Sequence, residues 1–168
     1  MKQIVFDTHI LIWGIKEEAK PDQEEMIERT RQFIEQCLAK GTRILVPSVV
    51  VGELLTAVEM RSHVMTLNLL QSAFIVPPYD AAASAIFARL WQKKQESGAI
   101  DKIRRELGAT RQELKADCMI VATAVAQKAD ALYSHDAKLA RFASDEIKIL
   151  EVPRLQAQCR LNFEGAYQ

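Results

Sequence analysis

Four carboxylates stand out for where they fall: Asp7, Glu53, Asp117 and Asp136. Asp7 follows Ile4-Val5-Phe6, a short apolar run of β-formers that reads as a buried strand. Asp136 repeats that situation just past Ala131-Leu132-Tyr133-Ser134. Glu53 lies among Val49, Val50, Val51, Leu54 and Leu55, in the helix expected after Pro47-Ser48. Asp117 stands at the beginning of 116–126, the most apolar helical stretch of the chain. An acid at the carboxyl end of a buried strand lies where open α/β sheets place their ligand crevices. A carboxylate among valines and leucines is costly to bury without a partner. Each acid also has a structural reading. Asp7 and Thr8 are ordinary N-caps, a helix N-terminus tolerates an anion such as Asp117, and Glu53 means little if it faces solvent.

The joint placement is what matters. Strands alternate with helices, so the expected fold is α/β, a three-layer α/β/α sandwich with a mostly parallel central sheet. Right-handed crossovers put the strand ends of such a sheet on one edge. Asp7 and Asp136 then lie beyond strand ends, and Glu53 and Asp117 in the first turns of helices leaving the same edge. Carboxylates gathered in one crevice repel one another. A divalent cation resolves that repulsion, and Mg²⁺ or Mn²⁺ favours carboxylate and water oxygens. Such a centre activates water and stabilises charge on a transferring phosphate. The chemistry suggested is phosphodiester hydrolysis.

The elements that must position these acids follow in order. After Asp7 a helix is expected to about Glu17, then a break at Ala19-Lys20-Pro21-Asp22. Apolar residues at helical spacing predict a second helix over 23–40, stopped by Gly41. The two helices form an arm at about 16–40. Residues 43–46 read as the second strand, 61–72 as a helix and 73–76 as a third short strand. Asp80 reads as the N-cap of an alanine-rich helix to about Glu96. Segment 99–115 is the least clear: one or two short helices around Gly108-Ala109-Thr110, with a mild basic excess that reads as a solvated face. A fourth strand is expected at 131–134, a short helix at 138–143 and an edge strand at 147–150. The tail 151–168 is weakly patterned, with room for a short helix through Leu155 and Leu161.

Composition bounds the rest. At 168 residues, 49% hydrophobic and 26% charged, the chain reads as one globular domain. No apolar run approaches the roughly 20 residues of a membrane span, and the N-terminus carries no secretory signal, so a cytoplasmic setting is expected. Twenty-two basic residues balance 22 acidic ones, which removes any bulk electrostatic case for nucleic acid and leaves only a local one. Cys37, Cys118 and Cys159 are far apart and in no metal-ligand spacing. Cys37 and Cys118 read as core thiols, and zinc or a disulfide framework is not expected.

The motifs together resemble the PIN-domain ribonucleases, most of all the VapC-type toxins of bacterial toxin–antitoxin pairs. The resemblance rests on Ile4-Val5-Phe6-Asp7-Thr8, on Ser48 with Gly52-Glu53-Leu54-Leu55, on the stretch from Ala116-Asp117-Cys118 through Thr123-Ala124, and on Leu132-Tyr133-Ser134-His135-Asp136. It spans about the first 150 residues in the family's order, leaving 151–168 as a tail. It implies that Asp7 and Asp117 are the principal Mg²⁺ (or Mn²⁺) ligands. Glu53 and Asp136 would complete the acidic site directly, through water, or with a second metal. Thr8 and Ser134 would orient carboxylates or water. It further implies RNA as the substrate, with 5′-phosphate and 3′-hydroxyl ends as products, frequent homodimerisation, and control by a cognate antitoxin protein. The chain departs from a compact toxin in being longer at 16–40 and 99–115. His135, beside Asp136, is read as a neighbour with no required role, since a metal can activate the water.

Other readings fare worse. A haloacid-dehalogenase-type phosphotransferase wants a second Asp two residues after the first, where this chain has His9. A response-regulator receiver needs an acidic pair near its start and a later lysine after a strand, and neither is evident. A nucleotide-binding protein should show a glycine-rich phosphate loop, and there is none. The remaining alternatives are a PIN nuclease of RNA processing without an antitoxin, and an inactive PIN-like module that binds RNA or protein.

Overall fold

A computed structural model describes residues 2–143 and 145–154. Its sheet has four parallel strands, β1 (Gln3–Phe6), β2 (Arg43–Leu45), β3 (Ala131–Tyr133) and β4 (Ile149–Leu150), in the order β2-β1-β3-β4. β1 is therefore central, hydrogen-bonded on both sides, and Ile4, Val5 and Phe6 are fully buried. Such double-sided burial is why the strand reads as an unbroken apolar run rather than an alternating one.

The strands are short, and the helices that cover them are long. α1 (Thr8–Leu11) continues into a π-helical turn (Ile12–Lys16), and α2 (Glu25–Ala39) returns the chain to β2. α2 packs on the sheet through Phe33, whose ring centroid lies 6.0 Å from that of Phe6 and 4.8 Å from that of Tyr133. The arm region 16–40 is thus part of the layer over the sheet. Gly14 permits its close approach, because a Cβ there would sit 2.5 Å from Ile34 Cδ1. Beyond β2 come α3 (Ser48–Thr56), α4 (His63–Ala73), α5 (Ala81–Glu96), α6 (Ala99–Leu107) and α7 (Arg111–Ala126), and after β3 comes α8 (Ala137–Ala143). The strand order places α2 in the crossover to one side of β1 and α7 and α8 in those to the other, and since such crossovers are right-handed as a rule the two sets cover opposite faces, the three-layer α/β/α arrangement expected.

Two local expectations are corrected. Residues 73–76 do not form a strand: α4 runs to Ala73, and only Ile75 bridges Leu45. Pro77 and Pro78 follow at once and have no N–H to continue a ladder. The backbone instead holds on through the Pro77 carbonyl, which accepts from Ser48 N–H at 3.0 Å. The apolar helix also begins earlier than residue 116. Thr110 and Glu113 form a reciprocal capping box and start α7 at Arg111, so Gly108-Ala109-Thr110 separates two helices. Asp80 caps α5, its carboxylate accepting from Ala83 N–H at 2.9 Å, as expected. Cys37 and Cys118 are free and buried, and burial pushes the Cys118 thiol up to about 12. Cys159 and the tail helix through Leu155 and Leu161 lie outside the described residues. Among the described residues, no helix is long and apolar enough to cross a membrane.

Candidate active site

Asp7 ends β1 with an extended backbone and is almost fully buried. Its Oδ1 accepts from Thr8 N–H at 2.7 Å, so the capping reading holds. Its Oδ2 accepts from Ser134 Oγ–H, also at 2.7 Å. Ser134 stands at the end of β3, the parallel neighbour of β1, and its own oxygen accepts from Asp136 N–H at 3.0 Å. One hydroxyl therefore ties together the acids that follow two adjacent strands. Asp136 in turn accepts from Lys138 N–H at 2.7 Å, which fixes its carboxylate at the start of α8. Thr8, at the start of α1, donates its hydroxyl to Glu53 Oε2 on α3.

Asp117 differs from the other three. The longer α7 places it about two turns from the helix N-terminus, beyond the reach of the free N–H groups that would make an anion unremarkable. It is 9% exposed, and its Oδ2 is buried with no hydrogen-bond partner among the described residues. Burial pushes its carboxyl up to about 8, with Asp136, Asp7 and Glu53 adding to the rise in that order. Glu53 is raised as well, first by burial, against the hydrogen bond from Thr8, and further by Asp7 and Asp136. The charges of Asp7 and Asp136 thus reach both Asp117 and Glu53, at the carboxyl edge of the sheet.

The donor set is all oxygen, which suits a hard divalent cation. Among the described residues no three His, Cys, Asp or Glu side chains are drawn tightly enough together to hold an ion by themselves. Mg²⁺ does not require that, since it usually keeps several waters and takes only one or two protein carboxylates. The partnerless, buried Asp117 oxygen is the observation that favours a cation, because an uncompensated buried carboxylate is otherwise costly.

A family model described as the PIN domain matches residues 4–145. The chain belongs to the PIN-domain family. Among solved structures, VapBC from Salmonella typhimurium bound to DNA is similar over 91% of this chain and 100% of that one, at 16% identity and a TM-score of 0.65. VapBC2 from Rickettsia felis, bound to a promoter DNA fragment, matches over 89% and 98% at 16% identity and a TM-score of 0.64. VapBC-1 from nontypeable Haemophilus influenzae matches over 89% and 97% at 14% identity and a TM-score of 0.60. At these identities the likeness is one of fold. No curated protein matches in sequence.

The rim of the candidate site is lined by His9, Trp13, His135 and Lys138. His9 Nδ1 lies 3.8 Å from Asp7 Oδ2, and that carboxylate raises the imidazole's pKa against the effect of burial. The Trp13 ring lies between those of His9 and His135, at centroid distances of 5.8 and 5.0 Å. His135 Nε2 accepts from Val152 N–H at 3.0 Å, and burial lowers its pKa. Its acceptor nitrogen is thus occupied in holding the segment after β4. Lys138 Nζ reaches Glu113 Oε1 at 2.8 Å.

Ser134→Ala removes the one hydroxyl that serves both Asp7 and Asp136. It is expected to cut nuclease turnover about tenfold to a hundredfold, the cost of losing an outer partner if Asp7 holds a metal. Initial rates at saturating Mg²⁺, compared with those at limiting Mg²⁺, would show part of the loss as weaker metal affinity, with the larger deficit at limiting Mg²⁺.

Proposed function

We propose that this PIN domain is a Mg²⁺- or Mn²⁺-dependent ribonuclease, the toxin of a toxin–antitoxin pair. The observation that carries the reading is Asp117: a buried carboxylate, partnerless at one oxygen, held among three other acids. Asp7 and Asp117 would hold the ion, with Glu53 and Asp136 completing the site directly or through water. When bound, the ion would supply an activated water and charge stabilisation at the phosphate. The chain's own residues orient that chemistry. Ser134 fixes the Asp7 carboxylate and the Asp136 backbone, and Thr8 fixes Glu53.

The toxin reading is supported by the solved relatives, which are VapBC complexes, VapBC-5 from Mycobacterium tuberculosis among them at 20% identity. It is also supported by the surface. Met60, Val64 and Met65 are exposed apolar side chains, and Met65 borders a groove of about 380 Å³ together with Ile15, Leu54, Val58 and Leu69. Apolar side chains gathered on an exterior mark a protein-binding face, as an antitoxin or a homodimer would require.

The test is cleavage of single-stranded RNA by the purified chain in Mg²⁺, in Mn²⁺ and in EDTA, with expression in a bacterial host alongside. Cleavage that is lost in EDTA and restored by either ion is expected, together with growth arrest that requires Asp7. Full cleavage in EDTA overturns the metal mechanism. Metal-dependent cleavage without growth arrest moves the chain to the RNA-processing class.

A further inference from the structure

Four carboxylates around one edge of a sheet repel an incoming polyanion as well as each other, so an RNA phosphate needs a cation near them. Lys138 is placed for that. Its backbone N–H is tied to Asp136 Oδ1 at 2.7 Å, so its position relative to that acid is fixed. Its side chain crosses to α7, where Nζ meets Glu113 Oε1 at 2.8 Å. Glu113 precedes Asp117 by four residues, on the same helix face. The ammonium therefore lies within electrostatic reach of both Asp136 and Asp117. Its charge opposes the other three acids at Asp117.

We propose that Lys138 binds a backbone phosphate of the RNA substrate, and that Glu113 holds its ammonium in place until RNA arrives. The inference rests on the ribonuclease reading above. Three features support an exchangeable pair over a structural one. The Lys138 and Glu113 side chains are 28% and 48% exposed, and pairs at such exposure contribute little to stability. Lys94 offers the contrast. Its side chain is 9% exposed, it is bound to Asp145 at 2.5 Å, and it lies over the Phe142 ring, so its pair is built into the packing. Glu113 also does not depend on Lys138 for its position, since its other oxygen accepts from Thr110 N–H at 2.6 Å in the capping box. The acceptor stays put when the ammonium leaves. A lysine is a compact charge on a flexible stem, suited to exchanging a carboxylate for a phosphate.

The experiment measures binding of a fluorescein-labelled, single-stranded oligoribonucleotide to the full chain by anisotropy, in an Asp7→Asn background with Mg²⁺ so that the RNA stays whole. Lys138→Gln is expected to weaken binding about fivefold and to reduce the slope of log affinity against log salt by about 0.7. Lys138→Arg should restore most of both. Glu113→Gln keeps a side-chain acceptor for the capping box while releasing Lys138, and is expected to tighten binding about twofold to threefold. The double variant should bind like Lys138→Gln alone. The opposite signs are the decisive feature. If the pair merely props α7 against α8, both single variants weaken binding alike and lower the melting temperature alike, and the proposal is overturned. Equal binding by Lys138→Gln and the unsubstituted residue overturns it with the ribonuclease reading intact. No RNA binding by any variant, Lys138 unchanged included, overturns both.

Discussion

Asp7→Asn is expected to lower RNA cleavage by about a thousandfold or more, equivalent to about 4 kcal/mol of transition-state stabilisation. The fold should remain. Asp7 caps α1 through Oδ1, and asparagine is an equally good N-cap. The side chain keeps its size in a site where Asp7 is 4% exposed, so no cavity opens. What is lost is the charge. The oxygen that faces Ser134 also becomes ambiguous, since the amide must present either its carbonyl or its NH₂ to a hydroxyl that already accepts from Asp136 N–H. Single-turnover rates, with circular dichroism and melting as controls, separate chemistry from folding. A variant that is folded and keeps more than about a tenth of the rate would remove Asp7 from the metal site, because a lost principal ligand cannot be so mild.

The contrast between Asp7 and Asp117 shows what the sequence made legible. Asp7 is readable because a central parallel strand is a continuous apolar run, and the residue that ends it has its place fixed by the sheet. The same holds for Ser134 and Asp136 after β3. Asp117 was placed in the right helix but at the wrong depth. The first turn of α7 is Arg111-Gln112-Glu113, polar and exposed, so hydrophobic periodicity begins only at Leu114. The start signal was present as Thr110 with Glu113 three residues on, inside a charged stretch that reads as surface. The misplacement concealed the feature that matters most, since an acid at a helix N-terminus is ordinary and one two turns inside is not. Contacts between segments distant in sequence, Thr8 with Glu53 and Lys138 with Glu113, were not legible at all. Each depends on how two crossovers bring separate helices to one edge.

Asp117→Asn is expected to stabilise the metal-free protein, and to do so only as pH rises. Burial, then Asp136, Asp7 and Glu53, push the Asp117 carboxyl up to about 8 from an ordinary 3.8. Between those values the folded protein holds a proton that the unfolded chain has released. Stability therefore falls as pH rises through that window, and the loss is complete above about pH 8. A shift of this size corresponds to several kcal/mol at most, about 1.4 for each pH unit, and relaxation of the crevice will reduce it. Asparagine has no proton to lose. In EDTA the variant should match the parent near pH 4, where both are neutral at this position, and exceed it by about 2–4 kcal/mol near pH 8. Urea unfolding at the two pH values measures the difference directly. Added Mg²⁺ should reverse the order at pH 8, since a cation at the carboxylate compensates the charge in the parent and finds none in the variant. Destabilisation by asparagine at every pH, with no response to Mg²⁺ in either protein, would mean that Asp117 is satisfied within the fold and that the four acids do not share a site.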